Sequence, residues 1–389
     1  MKTPKPILWI LLIILGIHIV GIGVFYFKGA KDPGTVKRDD SGISNDKSAP
    51  HNDVPGENIK SAKGSNNPLL GSYYSYRHAV QGLLKEIPET ADIRAGIVVN
   101  INNHQVLWAK NPREGYPIAS MTKMMTMLLT AEAMSRNSKL IFDTPVKISL
   151  AASKVGGSQV WLDPRETLTL GELMKAVAVK SANDAAYQVA EFINDGDVDG
   201  FVGMMNRRAR QLLMPNTAFV NPHGLKSNDG KNSISSAEGM ARLAEQLLEH
   251  QQFTDMCGLK VVDFRDKNSR GHMILYNTNK LLGKYPGIDG LKTGYTRDAG
   301  FCITVTCLRK DKRMVAVVIG SPSSAKRNTL VSKLLNWAYL RDNELNDPTH
   351  FLNRDAKSFG NKIINDVSTG KKVPMPEVKP SSALQKHKQ

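Results

Sequence analysis

The sequence predicts an α/β (α+β) fold: an antiparallel sheet flanked by helices, with a helical lobe inserted into it. Two observations carry this. β-rich runs lie at both ends of the folded region, Ile93 to Ile101 with Val106 to Lys110 near the start, and Gly300 to Leu308 with Met314 to Gly320 near the end. Between them, from Leu140 to His250, the chain is mainly helical. Strands that bracket a helical block bury their apolar faces most simply as one sheet carrying the helices as an insertion.

The elements follow in order. Folded structure begins near Tyr73, and Asn102-Asn103-His104 turns the first strand pair into a hairpin. A loop, Pro117-Ile118-Ala119, then leads into the strongly helical run Met124 to Ala133. Apolar residues recur at helical spacing in Leu170 to Lys180, Asn183 to Ile193 and Ala237 to Leu248, joined by glycine-rich and polar loops. Arg309-Lys310-Asp311-Lys312 closes a second hairpin, and Thr329 to Leu340 reads as a closing helix.

The flanks have a different composition. After a short N-terminus, residues 1–5, the apolar stretch Pro6 to Phe27 is long enough to span a bilayer. It reads as an uncleaved transmembrane anchor, with a signal peptide as the alternative, since Gly21-Ile22-Gly23 is a weak cleavage site. The basic N-terminus then stays in the cytoplasm and the rest is exported, although Lys28 and Lys31 blunt that charge argument. Residues 28–71 are rich in Asp, Ser, Asn, Gly, Pro and Lys, and cannot bury enough apolar area to offset chain entropy. Such a tether reaches about 35 Å on average. Residues 341–389 are again polar, with Pro374, Pro376 and Pro380, and read as a disordered tail.

At 389 residues and 41% hydrophobic content the chain holds one large domain with extensions. The net charge of +16 comes with no zinc finger, helix-turn-helix or aromatic-plus-basic signature, so no nucleic-acid partner is expected. Three cysteines, Cys257, Cys302 and Cys307, make neither a disulfide framework nor a metal site. Cys302 and Cys307 fall five apart in one strand and so on opposite faces.

Ser120 and Lys123, three apart at a helix start, meet on one face as a nucleophile beside a base. The amine serves only if neutral, which requires burial or a second cation nearby. Alone the pair proves little, because Ser-x-x-Lys recurs at Ser44, Ser323 and Ser368 and also describes a helix cap with a solvated lysine. Ser181-Ala182-Asn183 follows at a helix junction, where Ser181 is otherwise a cap. Gly290-Leu291-Lys292-Thr293-Gly294 precedes a late strand, and alternation puts Lys292 and Gly294 on one face, with a glycine where a ligand approaches the backbone.

Ser-x-x-Lys, Ser-x-Asn and Lys-Thr-Gly in that order are the set shared by penicillin-binding proteins and class A β-lactamases. With Tyr116 to Lys123, Ser181 to Ala186, Asn221-Pro222-His223-Gly224-Leu225 and Gly290 to Thr296, the chain closely resembles the low-molecular-weight penicillin-binding proteins that act as serine D-alanyl-D-alanine carboxypeptidases. The resemblance covers residues 72–340 and implies a β-lactamase/transpeptidase-like fold there. It further implies attack by Ser120 on peptidoglycan peptides ending in D-Ala-D-Ala, with Lys123 as base and Ser181 as proton relay. Asn183, Lys292, Thr293 and Gly294 bind substrate, Ser120 and Tyr295 lend backbone N–H groups to the oxyanion, and Arg327 meets the substrate carboxylate or lies at the surface. His223 is structural rather than catalytic. β-Lactams are implied as covalent inhibitors, and no cofactor or metal. With the anchor, this locates the protein at the bacterial cytoplasmic membrane, its catalytic domain outside.

Three departures bear on that reading. The tail is too polar to supply the C-terminal domain and membrane helix of many relatives. Tyr295 replaces a histidine common in some, and Asp163-Pro164-Arg165-Glu166 stands where a tighter glycine turn is usual. Endopeptidase action on cross-links and a silent peptidoglycan-binding scaffold therefore stay open. A β-lactamase is disfavoured, because no glutamate lies between Glu191 and Glu238 to hold a hydrolytic water.

Overall fold

Six strands form the central sheet of the computed structural model, which describes residues 73–269 and 271–346. They are β1 (Val80–Gln81), β2 (Ala95–Asn100), β3 (Gln105–Lys110), β4 (Ile288–Thr296), β5 (Gly300–Arg309) and β6 (Lys312–Ser321), in the order β1-β3-β2-β6-β5-β4. The N-terminal hairpin thus joins the C-terminal meander through β2 and β6, and everything between is the insertion. All neighbours are antiparallel except the two-residue β1, which runs parallel to β3.

Two-residue alternation gives the sheet two apolar faces. Ile97, Val99, Val315, Val317 and Ile319 join one core cluster; Val98, Ala316 and Val318 join the other. Because both faces are covered, the strands read as continuous apolar runs. The first face packs on the inserted helices: α1 (Lys123–Arg136), α2 (Leu170–Lys175), α3 (Asn183–Ile193), α4 (Val198–Gln211), α5 (Ala237–Leu248) and α6 (Gln251–Gly258). The second packs on α7 (Ser324–Asn346) through Leu330, Leu334 and Ala338. Cys302 lies in the first core and Cys307 in the second, both free and buried, as their odd spacing requires.

The helices start where their caps dictate. Thr169 and Glu172 form a reciprocal capping box at α2, and the Ser236 hydroxyl accepts from Gly239 N at α5. α4 falls in a stretch that the sequence reading leaves to connecting loops. It buries only Phe201, Met205 and Ala209, a stripe too narrow to stand out beside its arginines. α7 begins five residues before its expected start and continues six past Leu340. Asp342 explains the extension: its buried carboxylate takes hydrogen bonds from Asn100 Nδ2 at 2.8 Å and Lys312 Nζ at 2.6 Å, so polar residues beyond Leu340 are tied to the sheet. The N-terminus, anchor and linker read over residues 1–71, and the tail beyond 346, lie outside the described residues. Among the described residues no helix is long and apolar enough to cross a membrane.

Candidate active site

The site forms where the edge strand β4 meets the turn that opens α1. Residues Ala119–Thr122 make a single 3-10 turn and α1 begins only at Lys123, so Ser120 stands ahead of the helix rather than in its first turn. The two side chains still meet, with Lys123 Nζ 3.0 Å from Ser120 Oγ. Lys123 is fully buried, which excludes the solvated-lysine reading.

Two other atoms contact the same amine. Lys123 Nζ donates to Asn183 Oδ1 and to the His223 carbonyl, both at 2.6 Å. Asn183 cannot turn away, because its Nδ2 donates to Gly156 O at 2.8 Å and so fixes which end faces the lysine. The His223 carbonyl is held by a built loop. Asn221 Oδ1 accepts from His223 N and Gly224 N, and Thr126 Oγ1 donates to Pro222 O. Gly224 is required there: its φ is +87°, and a Cβ would lie 2.1 Å from Ala119 O. A neutral amine has two N–H groups and one lone pair. With both N–H groups given to fixed acceptors, the lone pair is left facing Ser120 Oγ.

Electrostatics favour that neutral form. Burial pushes the Lys123 pKa well below the ordinary lysine value, the nearby Lys292 ammonium lowers it further, and Asp184 opposes both. Lys292 is itself buried, and burial, aided by Arg327, lowers it to about 7. Arg327 is buried rather than at the surface, donates to Cys302 O at 3.2 Å and is lowered by burial to about 10. Among the described residues neither Lys292 nor Arg327 is in a salt bridge, so these two cations beside the neutral Lys123 are free to meet an anionic ligand. The His223 ring is held neutral by burial, its pKa near 3, and its Nδ1 accepts from Leu225 N.

Ser181 is the clearest departure from an ordinary helix junction. α2 runs on as a π-helical turn, Ala176–Lys180, and Ser181 ends it in the left-handed region at φ +65°. It caps nothing, because α3 begins after Ala182 without a side-chain cap. Its Oγ is buried with no hydrogen-bond partner. An unsatisfied buried hydroxyl on strained backbone is costly, and such features gather where a ligand completes them.

On β4, Gly294 lies against the nucleophile turn: a Cβ there would lie 2.6 Å from Ile118 O and 3.1 Å from Ser120 N. Thr293 Oγ1 donates to Thr278 Oγ1 at 2.8 Å. The Tyr295 side chain is exposed and its ring stacks on Phe301 with centroids 4.2 Å apart. Sequence reasoning missed Asp184, a buried carboxylate that accepts from Val160 N and Leu162 N. A lone charge in the apolar run Ala185, Ala186, Val189, Ala190 was its signal.

A buried neutral amine on a serine hydroxyl, with a second unpartnered serine and an unneutralised cation set, is suited to acyl transfer from a substrate ending in a carboxylate. The family model described as D-alanyl-D-alanine carboxypeptidase, peptidase S11, matches residues 85–323, which contain every one of these side chains except Arg327. The chain belongs to the D-alanyl-D-alanine carboxypeptidase family. Among its relatives in this family, DacF of Bacillus subtilis is 38% identical over 248 residues, covering 64% of this chain and 62% of that protein. DacC of Escherichia coli is 30% identical over 256 residues, with 64% and 62% covered. The chain thus spans under two thirds of the length of these carboxypeptidases. Among solved structures, penicillin-binding protein D2 of Listeria monocytogenes in its ampicillin-bound form aligns with a TM-score of 0.57 and 29% identity, over 64% of this chain and 98% of that one. The carboxypeptidase DacD of Francisella tularensis aligns with a TM-score of 0.59 and 26% identity, over 63% and 70%. The fold is the β-lactamase/transpeptidase-like one.

Within this carboxypeptidase-family site Asp184 is a positioning residue. Asp184→Asn removes a charge that accepts two loop N–H groups, and should lower stability by about 2 kcal/mol. It also removes the negative charge that raises the Lys123 pKa, so the acid limb of the acylation rate should move to lower pH. Thermal unfolding and a pH series on penicillin acylation check both.

Proposed function

We propose that the chain is a serine-type D-Ala-D-Ala carboxypeptidase that removes the terminal D-alanine from peptidoglycan pentapeptides and is inhibited by β-lactams. The observation that carries this reading is the lone pair of Lys123, left facing Ser120 by its two fixed acceptors. Ser120 Oγ attacks the carbonyl carbon of the penultimate D-alanine and its proton passes to Lys123 Nζ. The tetrahedral oxyanion is met by the Ser120 and Tyr295 N–H groups. As the C–N bond breaks, the Ser181 hydroxyl relays a proton to the departing amine, leaving an ester on Ser120. Water then attacks the ester and frees the enzyme. Lys292, Thr293 and Arg327 receive the terminal carboxylate, Asn183 orients the substrate amide, and Gly294, rather than admitting the substrate backbone, lets β4 lie close against the Ser120 turn.

A β-lactam carbonyl enters the same first step, but its leaving nitrogen stays tethered, so the ester is long-lived. Three carboxylates that could be asked to hold a hydrolytic water are engaged elsewhere. Glu166 is paired with Arg265, Glu238 with Arg113 and Arg242, and Asp184 with backbone N–H groups. Purified protein should be labelled stoichiometrically by fluorescent penicillin, release D-alanine from a free pentapeptide and turn nitrocefin over only slowly. Absence of both label and release leaves a peptidoglycan-binding scaffold instead, and rapid nitrocefin hydrolysis makes it a β-lactamase.

The apolar run 6–27 supports a single N-terminal membrane anchor, with the catalytic domain outside the cytoplasmic membrane on its polar tether. Membrane fractionation of the full chain and of a chain lacking residues 1–27 tests this: only the first should sediment with membranes.

A further inference from the structure

The site described above leaves a neighbouring cleft unused. Of the described tryptophans, Trp108 is fully buried and Trp337 is partly buried, whereas Trp161 is 66% exposed. Its backbone has φ +50°, a genuine outlier for so bulky a residue. The surroundings impose it at four points. Val160 N and Leu162 N donate to Asp184 at 3.1 and 3.3 Å, and the Val160 and Trp161 carbonyls accept from Arg265 at 3.1 and 3.0 Å. Strain persists only where such contacts over-determine it, and it gathers at ligand clamps. Here it presents the indole as one wall of an open cleft of about 820 Å³.

The other walls decide what the cleft suits. Asp163 pairs with Arg165 at 2.6 Å, and Arg265 grips Glu166 through two bonds of 2.7 Å. Two acids and two bases cancel, so nothing selects a polyanion. What remains is a flat ring beside preorganised donors and acceptors. That combination fits a pyranose, whose C–H face stacks on an aromatic ring while its hydroxyl groups take hydrogen bonds from the rim. The cleft is also near the reaction. Asn183 N donates to Ser158 O at 2.7 Å, and three residues of chain carry that contact to Trp161, at most about 10 Å. A stem peptide of a few extended residues spans about 15 Å between its scissile bond and its sugar.

We propose that Trp161 and the cleft it walls form a saccharide subsite, which holds the N-acetylhexosamine glycan of peptidoglycan while the stem peptide reaches Ser120. This rests on the carboxypeptidase reading for its substrate, and its test separates the two. D-Alanine release by wild type, Trp161→Ala and Trp161→Phe is compared on a free pentapeptide and on the same peptide carrying its disaccharide. Wild type should favour the disaccharide form by about tenfold in kcat/KM, expressed in KM. Trp161→Ala should erase that preference, Trp161→Phe should keep most of it, and penicillin acylation should be the same in all three, which shows the fold intact. Calorimetry with tetra-N-acetylchitotetraose on the full chain gives a readout independent of turnover: saturable binding to wild type, lost in Trp161→Ala. If no D-alanine is released from either peptide, the carboxypeptidase reading falls and the calorimetry alone decides. A disaccharide preference that survives Trp161→Ala, no preference in an active wild type, or no tetrasaccharide binding overturns the subsite.

Discussion

Lys123→Met is expected to lower penicillin acylation and D-alanine release by about 10³–10⁴, whereas Ser120→Ala, which has no oxygen to acylate, should take no penicillin label at all. Ser120 gains nucleophilicity only by giving its proton away, and Lys123 Nζ at 3.0 Å is the atom placed to take it. Because the two act as one unit, adding Lys123→Met to Ser120→Ala should cost residual D-alanine release nothing further. Methionine also leaves Asn183 Oδ1 and the His223 carbonyl without their donor, which costs stability. A thermal melt separates that loss from the catalytic one. The pH profile tests the same point in the unaltered protein. Lys123 is depressed first by burial and then by Lys292, so the proton-accepting form is present well below the ordinary lysine range, and the rate should rise through that depressed pKa. In the proposed role Lys292 must stay cationic to hold a carboxylate. Its value near 7 therefore makes kcat/KM fall again on the alkaline side. A bound carboxylate raises the Lys292 pKa, so the falling limb in kcat should lie at higher pH than in kcat/KM. Acylation that begins to rise only near pH 10.5 would place a solvated lysine at the site instead.

What the sequence disclosed depended on whether a feature was periodic or positional. Strands β2, β5 and β6 and helices α3 and α5 were legible because a β-branched apolar run or helical spacing persists over several residues, as in Val315 to Ile319 and Ala237 to Leu247. α4 was not, since three buried residues among arginines give a weak period. The three motifs were legible together as chemistry, yet their local geometry was not. Ser120 on a 3-10 turn, and Ser181 left-handed after a π turn, are departures that tertiary contacts impose. The same holds for the atoms that set the base. The His223 carbonyl reaches Lys123 across 100 residues of chain, and a backbone oxygen leaves no mark in a side-chain pattern. Arg327, read as carboxylate ligand or surface residue, is buried near Lys292 because α7 starts earlier than its apolar run implies.

Gly294→Val should reduce acylation by at least about 10², with Ser120, Lys123 and Ser181 all unchanged. The reason is a single close approach. An added Cβ lies 2.6 Å from Ile118 O, 3.1 Å from Ser120 N and 3.2 Å from Ala119 Cβ, and two of those three atoms are backbone. Neither side yields easily. β4 is held by β5 through the Gly294 and Cys302 register, while the nucleophile turn is backed by the Asn221 to Leu225 loop, where Gly224 is equally tight against Ala119. Relief must come from separating β4 and the turn, which moves the Tyr295 N–H away from the Ser120 N–H, its partner in the proposed oxyanion hole. A displacement of about 1 Å there is enough for the stated loss. Lys123 keeps its partners in this variant, so the acid limb of the pH profile should stay in place while the plateau drops. Gly294→Ala should fall between wild type and valine. If both variants acylate at the wild-type rate, the close packing of β4 against Ser120 plays no part in catalysis, and the family's glycine at this position answers only to the fold.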